Sequence, residues 1–290
     1  MLGNDKIVKG FWEVIREEAT KGVRQVRAIK VTGNDVLATN ENVAIEAPVD
    51  VYINNKYWNS GSLTPCDFKI YAIGLLFSAM IITSVDQIEK IECNKTHNRN
   101  KVFVTLADTP EMNNLVPKIS SGFSLRKSDT DIGDIYKSLN DNLEIPCESI
   151  FKVSNALKPI QKMHLQTGST HAAIFANSDG EVLYIKEDVG RHNAVEKLAG
   201  TLVNQGVDTT KGFAFLSSRC ALELVVKLAR AGVRAVATVS APTSTLLDFA
   251  NENNITICSF ARGDRFTTYS NPQRIVLPNG QDIKSVSAEL

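Results

Sequence analysis

No two of the five cysteines, Cys66, Cys93, Cys147, Cys220 and Cys258, stand close together in the chain. That spacing excludes a disulfide framework and a zinc-finger ligand set, and leaves reduced structural thiols as the expectation for most of them. Net charge is missing as well, since 32 Lys and Arg balance 32 Asp and Glu. No global field therefore draws the chain to nucleic acid or to an anionic membrane, and any anion site must be local. Long apolar runs are absent too. The longest, around Ile73 to Ile82, is too short to cross a bilayer, and the charged opening MLGNDKIVKGFWEVIREEATK has no signal-peptide core. These absences predict a cytoplasmic protein with neither nucleic acid nor membrane as a partner.

What is present divides the chain. Its 290 residues suit one large or two modest domains. Val43 to Ile53 alternates as a strand, Asn54-Asn55 offers a turn, and Tyr57 to Ser60 returns. Thr64-Pro65-Cys66-Asp67 reads as a helix start with a capping threonine, and Tyr71, Leu75, Leu76 and Met80 form its packing face. Ile88–Cys93 and Val102–Leu106 are a further strand pair. From Asp108 to Glu144 the pattern dissolves into a long polar loop, and a helix from about Glu148 to Met163 follows.

Beyond it, apolar strands at Ala172–Ala176 and Glu181–Ile185 form a hairpin. Strands at Gly212–Leu216, Ala235–Val239 and Ile255–Phe260 then alternate with helices at Asn193–Asn204, Ala221–Ala231 and Ser244–Glu252. Alternation with short connections predicts an α/β fold with a parallel sheet and helices on its faces. The expected division is an α+β domain over residues 1–145 and an α/β domain over 146–290.

In such sheets ligands bind beyond the carboxyl ends of the strands. Those ends carry Glu187, Asp188, Gly190, Arg191, His192 and Asn193; Ser217, Ser218 and Arg219; Ser240, Pro242, Thr243 and Ser244; and Arg262, Gly263, Asp264 and Arg265. Arginine forks, short hydroxyls and helix N-termini are donors suited to a phosphorylated small molecule or nucleotide. Arg191 has an alternative, pairing with Glu187 or Asp188. His192 reads as a ligand contact kept neutral by neighbouring arginines, and His171 as either a structural histidine or a second site residue. Lys197, one turn inside its helix, is within reach of either the site or solvent and is expected to face solvent, and Glu223 and Lys227 to form an i, i+4 pair. The two acids Glu187 and Asp188 are expected to orient Arg191 and His192.

In this order and spacing, THAAIF, EDVGRHNAVEKLAG, SSRCALELVVKLARAG, VSAPTS and FARGDRF resemble the formate dehydrogenase accessory sulfur-carrier family, FdhD. VAIEAPVDVYINN and TPCDFKIYAIGLLFSAMII in the first half are similar to it too. The resemblance implies a cytidine-deaminase-like three-layer α/β domain behind a smaller α+β domain, and a homodimer. It implies binding of molybdopterin guanine dinucleotide, with a guanine nucleotide as its mimic, and sulfurtransferase activity from a cysteine desulfurase toward the cofactor of formate dehydrogenase. It places His171, Asp188, Gly190, Arg191, His192, Asn193, Arg219, Ser240, Thr243, Phe260, Arg262, Gly263 and Arg265 around that cofactor. Zinc is not expected, because His171 is followed by Ala172-Ala173 and no cysteine pair follows.

One departure stands out. Where the family has a Cys-Gly-x-Cys-Gly carrier motif, this chain has Ile119-Ser120-Ser121-Gly122-Phe123-Ser124, and serine cannot hold a persulfide. Cys147 and Cys220 are the substitutes to consider, Cys220 because it follows Arg219 at a helix start. The alternative function is a cofactor-binding chaperone without sulfur transfer.

Overall fold

The computed structural model describes residues 21–96, 99–108, 131–132, 141–278, 281 and 286. Most of the expected Asp108–Glu144 loop, Ser120 and Ser121 included, lies outside the described residues.

The N-terminal part opens with an antiparallel ribbon of β1 (Val23–Thr32) and β2 (Asp35–Ala44), turning through Gly33 at a φ of 60°. No sequence signal marks it, because most of its side chains are exposed and the polar-apolar alternation that burial enforces is missing. The run expected from Val43 is broken between β2 and β3 (Ala47–Ile53). β3 and β4 (Lys56–Leu63) form the expected hairpin, with Asn54 and Asn55 both at positive φ, as a tight primed turn requires. With β5 (Ile88–Thr96) and β6 (Arg99–Leu106) they make a four-stranded sheet in the order β4-β3-β6-β5. Its buried face, including Val49, Val51, Ile53, Val102 and Val104, packs on Tyr71, Leu75 and Leu76 of α1 (Phe68–Ser78).

Two expectations for α1 are corrected. The helix starts at Phe68 and not at Thr64, because Asp67 sits at φ 57° and the Thr64 hydroxyl is engaged elsewhere. Met80 lies past the helix end, also at φ 57°, and stands 41% exposed, so it does not join the core.

The C-terminal part begins with β7 (Ile145–Pro146), α2 (Cys147–Ile160) and α3 (Lys162–Thr167). The single helix expected to reach Met163 is two helices. Pro159 removes a backbone donor in the last turn of α2, and the Glu187 carboxylate restarts the chain by accepting the amides of Met163 and His164, each at 2.9 Å.

There follow β8 (His171–Asn177), β9 (Val182–Asp188), α4 (Arg191–Asn204), β10 (Gly212–Leu216), α5 (Leu222–Arg230), β11 (Ala235–Thr238), α6 (Ser244–Glu252), β12 (Thr256–Arg262), β13 (Arg265–Ser270) and β14 (Ile275–Val276). The sheet order is β13-β12-β11-β10-β8-β9. β10, β11 and β12 are parallel, while β8, β9 and β13 run antiparallel to their neighbours. The sheet is therefore mixed rather than parallel throughout. β13, unmarked in the sequence, follows β12 through a tight turn at Gly263 and cannot run parallel to it.

The central strands are almost wholly apolar because both sheet faces are covered. Ala173, Phe175, Ala214, Leu216 and Val236 meet Leu198, Leu224, Val225 and Leu246 of α4, α5 and α6. The alternate residues Ile174, Phe213, Phe215, Ala237 and Cys258 meet Ile150 and Val153 of α2. Each large side chain so buried contributes about 1.5–3 kcal/mol.

The two parts are joined by α1 against α4. A Cβ placed on Gly74 would stand 1.9 Å from the Glu196 carbonyl oxygen, and one on Gly200 2.1 Å from that of Ile70. Only glycine lets these backbones touch.

Candidate ligand-binding edge

β9, β10, β11 and β12 point their carboxyl ends to one edge of the sheet. At that edge the register pairs His171 with Asp188, and Ser217 bonds Ala172, its hydroxyl accepting the Ala172 amide at 2.7 Å. The sheet thus gathers residues from four loops as the sequence order requires.

The turn between β9 and α4 is built around Asp188, which is fully buried. Its Oδ1 accepts the Gly190 amide and Asn193 Nδ2, both at 2.9 Å. Its Oδ2 accepts the Thr64 hydroxyl at 2.7 Å, the Thr64 amide at 3.1 Å and Lys197 Nζ at 2.7 Å. Asn193 Nδ2 also reaches the Ser62 carbonyl at 2.8 Å. A carboxylate with this many donors is paired and satisfied, as burial of a charge demands.

Several expectations change here. Lys197 does not face solvent: it is fully buried, donating to the Thr64 hydroxyl at 2.9 Å and to Cys66 Sγ at 3.5 Å. Burial works against its ammonium, but Asp188 outweighs that and holds its pKa above the ordinary value. Cys66, which has no visible partner in the sequence, also donates to the Thr64 hydroxyl at 3.7 Å. Glu187 does not orient Arg191 or His192. Its carboxylate serves the start of α3 and the Thr170 hydroxyl at 3.0 Å, and burial raises its pKa against those bonds. Lys227 is bonded to Glu196 rather than to Glu223, and the Ser78 hydroxyl donates to Glu196 at 2.7 Å. Sequence distance hid both networks, since each joins α4 to the N-terminal part across more than a hundred residues.

With Asp188 and Glu187 engaged, Arg191 pairs with neither. Its Nε is buried and has no hydrogen-bond partner among the described residues. Arg191 lies close enough to His171 that burial first, then this guanidinium and His164, push the imidazole pKa below its ordinary 6.5. His192 Nε2 lies 3.2 Å from Glu223 Oε1, a contact that holds the Glu223 carboxyl below its usual range.

Farther along the edge, an isolated bridge between Cys220 and Pro242 sets the Arg219 loop beside the Thr243 loop. Arg219, Thr243, Gly263 and Arg265 are exposed, and Ser240 is half-buried. The Ser240 carbonyl accepts the Phe260 amide at 3.2 Å, and Arg262 Nε donates to the Val239 carbonyl at 3.3 Å. Phe260 combines 41% exposure with φ 56°, a strained backbone for a bulky residue. Phe260, Arg265, Phe266 and Thr267 line a cleft of about 340 Å³. From β9 to β12 there are four strand spacings, about 19 Å. A ligand touching both Arg191 and Phe260 must be elongated.

The thiols stand apart from this edge in chemistry. Burial raises the Cys147 pKa and pushes Cys220 and Cys258 up to about 12. Cys220 is fully buried, so its place after Arg219 yields no reactive thiolate. Cys93 is exposed on β5, in the four-stranded sheet of the N-terminal part. Among the described residues no group of three or more His, Cys, Asp or Glu is placed to hold a metal ion.

The fold and this edge define a class: mixed α/β proteins whose cation-rich strand ends adjoin a docked N-terminal sheet. Within that class the chain belongs to the FdhD/NarQ family, whose profile matches residues 44–276. The sulfur carrier protein FdhD of Bordetella bronchiseptica is 30% identical over 257 residues, covering 86% of this chain and 93% of that one. Its namesake from Sulfolobus acidocaldarius is 30% identical over 256 residues, covering 88% and 99%. A crystal structure from Desulfotalea psychrophila, of a protein named for an accessory role toward formate dehydrogenase, shares the fold. It matches with a TM-score of 0.70 at 21% identity, over 88% of this chain and 99% of that one.

Proposed function

We propose that this chain is an accessory protein of formate dehydrogenase maturation that binds molybdopterin guanine dinucleotide along the strand-end edge. One observation carries the reading: the buried Nε of Arg191, which has no hydrogen-bond partner among the described residues. A buried guanidinium donor is costly to leave unmade, and a phosphate group satisfies it. The strained, exposed Phe260, with Arg265 beside it, suits a planar base at the other end. The four strand spacings from β9 to β12, about 19 Å, suit a pyrophosphate-linked dinucleotide better than a mononucleotide. His171, Gly190, His192, Asn193, Arg219, Ser240, Thr243, Arg262 and Gly263 line the path between. The layering of the C-terminal part is read as cytidine-deaminase-like, its start near residue 146 and the active form as a homodimer.

By family, sulfur passes from a cysteine desulfurase through a carrier thiol to the bound cofactor. A second reading, a chaperone that binds cofactor without carrying sulfur, is favoured by a specific observation. The stretch Ile119–Ser124 has no cysteine, and three of the five thiols are buried with raised pKa values.

Guanosine diphosphate should raise the melting temperature, and Arg191→Ala should abolish the rise; no rise in the wild type defeats the cofactor reading. Incubation with a cysteine desulfurase and cysteine decides the rest. A protein-bound persulfide supports the carrier, and its absence leaves the chaperone.

A further inference from the structure

The geometry points to Thr64, on the N-terminal part, as a positioning residue for the ligand edge of the C-terminal part: it holds Asp188 so that Arg191 stays available to an anionic ligand. The inference rests on the reading of that edge as an anion site and adds to it what keeps the site open.

Asp188 and Arg191 are three residues apart on one turn, and an exposed turn of that sequence would pair them. In the fold they do not pair. Asp188 Oδ2 is taken by the Thr64 hydroxyl at 2.7 Å and the Thr64 amide at 3.1 Å, with Lys197 Nζ at 2.7 Å. Oδ1 holds the Gly190 amide and Asn193 Nδ2. The Thr64 hydroxyl does double duty, accepting from Lys197 at 2.9 Å while donating to Asp188. Removing it deprives Asp188 Oδ2 of one donor and Lys197 of one acceptor, and Arg191, three residues along the same turn with a buried Nε that lacks a partner, is the donor expected to fill the gap. The carboxylate then competes with the ligand for the same fork. In this arrangement the N-terminal part contributes to binding without touching the ligand, and EDVGRHNA works only when TP of the first half is docked against it.

The test measures binding of guanosine diphosphate by calorimetry on the full chain, well below the melting temperature. Thr64→Val, which keeps the shape and loses the hydroxyl, is expected to weaken binding about tenfold, the scale of one charge-assisted hydrogen bond. Thr64→Ser restores the hydroxyl and is expected to bind within about twofold of wild type. A double-mutant cycle separates positioning from mere support of the fold. Arg191→Ala should cost much less in the Thr64→Val background than in the wild type, because its guanidinium is already occupied. Should Thr64→Val fail to fold, Thr64→Ala removes the same hydroxyl with a smaller side chain and is expected to show the same non-additivity with Arg191→Ala. Wild-type affinity in Thr64→Val, or strict additivity in the cycle, overturns the proposal while leaving the anion site intact. No binding by the wild type removes the site itself and the proposal with it.

Discussion

Two sets of charges on and around α4 are treated in opposite ways. At the seam with the N-terminal part, Asp188, Lys197, Glu196 and Lys227 are all buried, and each has its partner. At the strand-end edge, Arg191 keeps an unpartnered Nε and Arg219 and Arg265 are exposed. Charge at the seam is committed to holding two sheets together, and charge at the edge is left uncommitted. Opposite charges need each other most where water is excluded, so the seam cannot lose one member cheaply, whereas the edge can.

The contrast is sharpest in a seam substitution. Lys197→Met removes the cation from a buried pair and is expected to cost about 3–5 kcal/mol in chemical denaturation. A loss under about 1 kcal/mol, the range of an exposed pair, would put the seam charges on the same footing as those of the edge. Next in size is Gly200→Ala, which pushes a methyl group into the Ile70 carbonyl. Its expected cost is about 1–3 kcal/mol, and it should appear as an earlier midpoint without loss of helical signal.

Acid provides a smaller effect at the edge. The folded His171 pKa lies below 6.5, so the unfolded chain takes up its proton first as pH falls. This contribution to stability is complete above about pH 6.5 and is lost as pH drops below it toward the folded value. Melting temperatures from pH 7.5 to 5.5 should therefore decline less in His171→Gln than in the wild type, a window of about one unit either side of 6.5. The smallest effect on stability belongs to Arg191→Ala, within about 0.5 kcal/mol, with binding lost instead. A large destabilisation there would move Arg191 from the edge to the seam.

The sequence showed the C-terminal part more clearly than the N-terminal part, for a physical reason. Strands such as GFAFL and AVAT are covered on both faces and announce themselves as apolar runs between helices. The ribbon of β1 and β2 buries little, so it leaves no pattern to read. Local order also reveals the edge loops, because strand ends follow from strand positions. It does not reveal Thr64 bonding Asp188, since nothing in TPCD says where a threonine 124 positions away will sit. The same limit made Lys197 look like a surface lysine and Glu187 like a guide for Arg191, when α3 needed a carboxylate at its start.

Glu196 and Lys197 are consecutive on α4, so their side chains leave the helix about 100° apart. One engages Ser78 and Lys227, the other Thr64 and Asp188. Two tethers at different angles stop a cylinder from rolling, and the glycine contact with α1 stops it from gliding. The seam between the halves of the molecule is thus braced against both rotation and translation of α4, while the loops of the sheet edge carry no such bracing from these contacts.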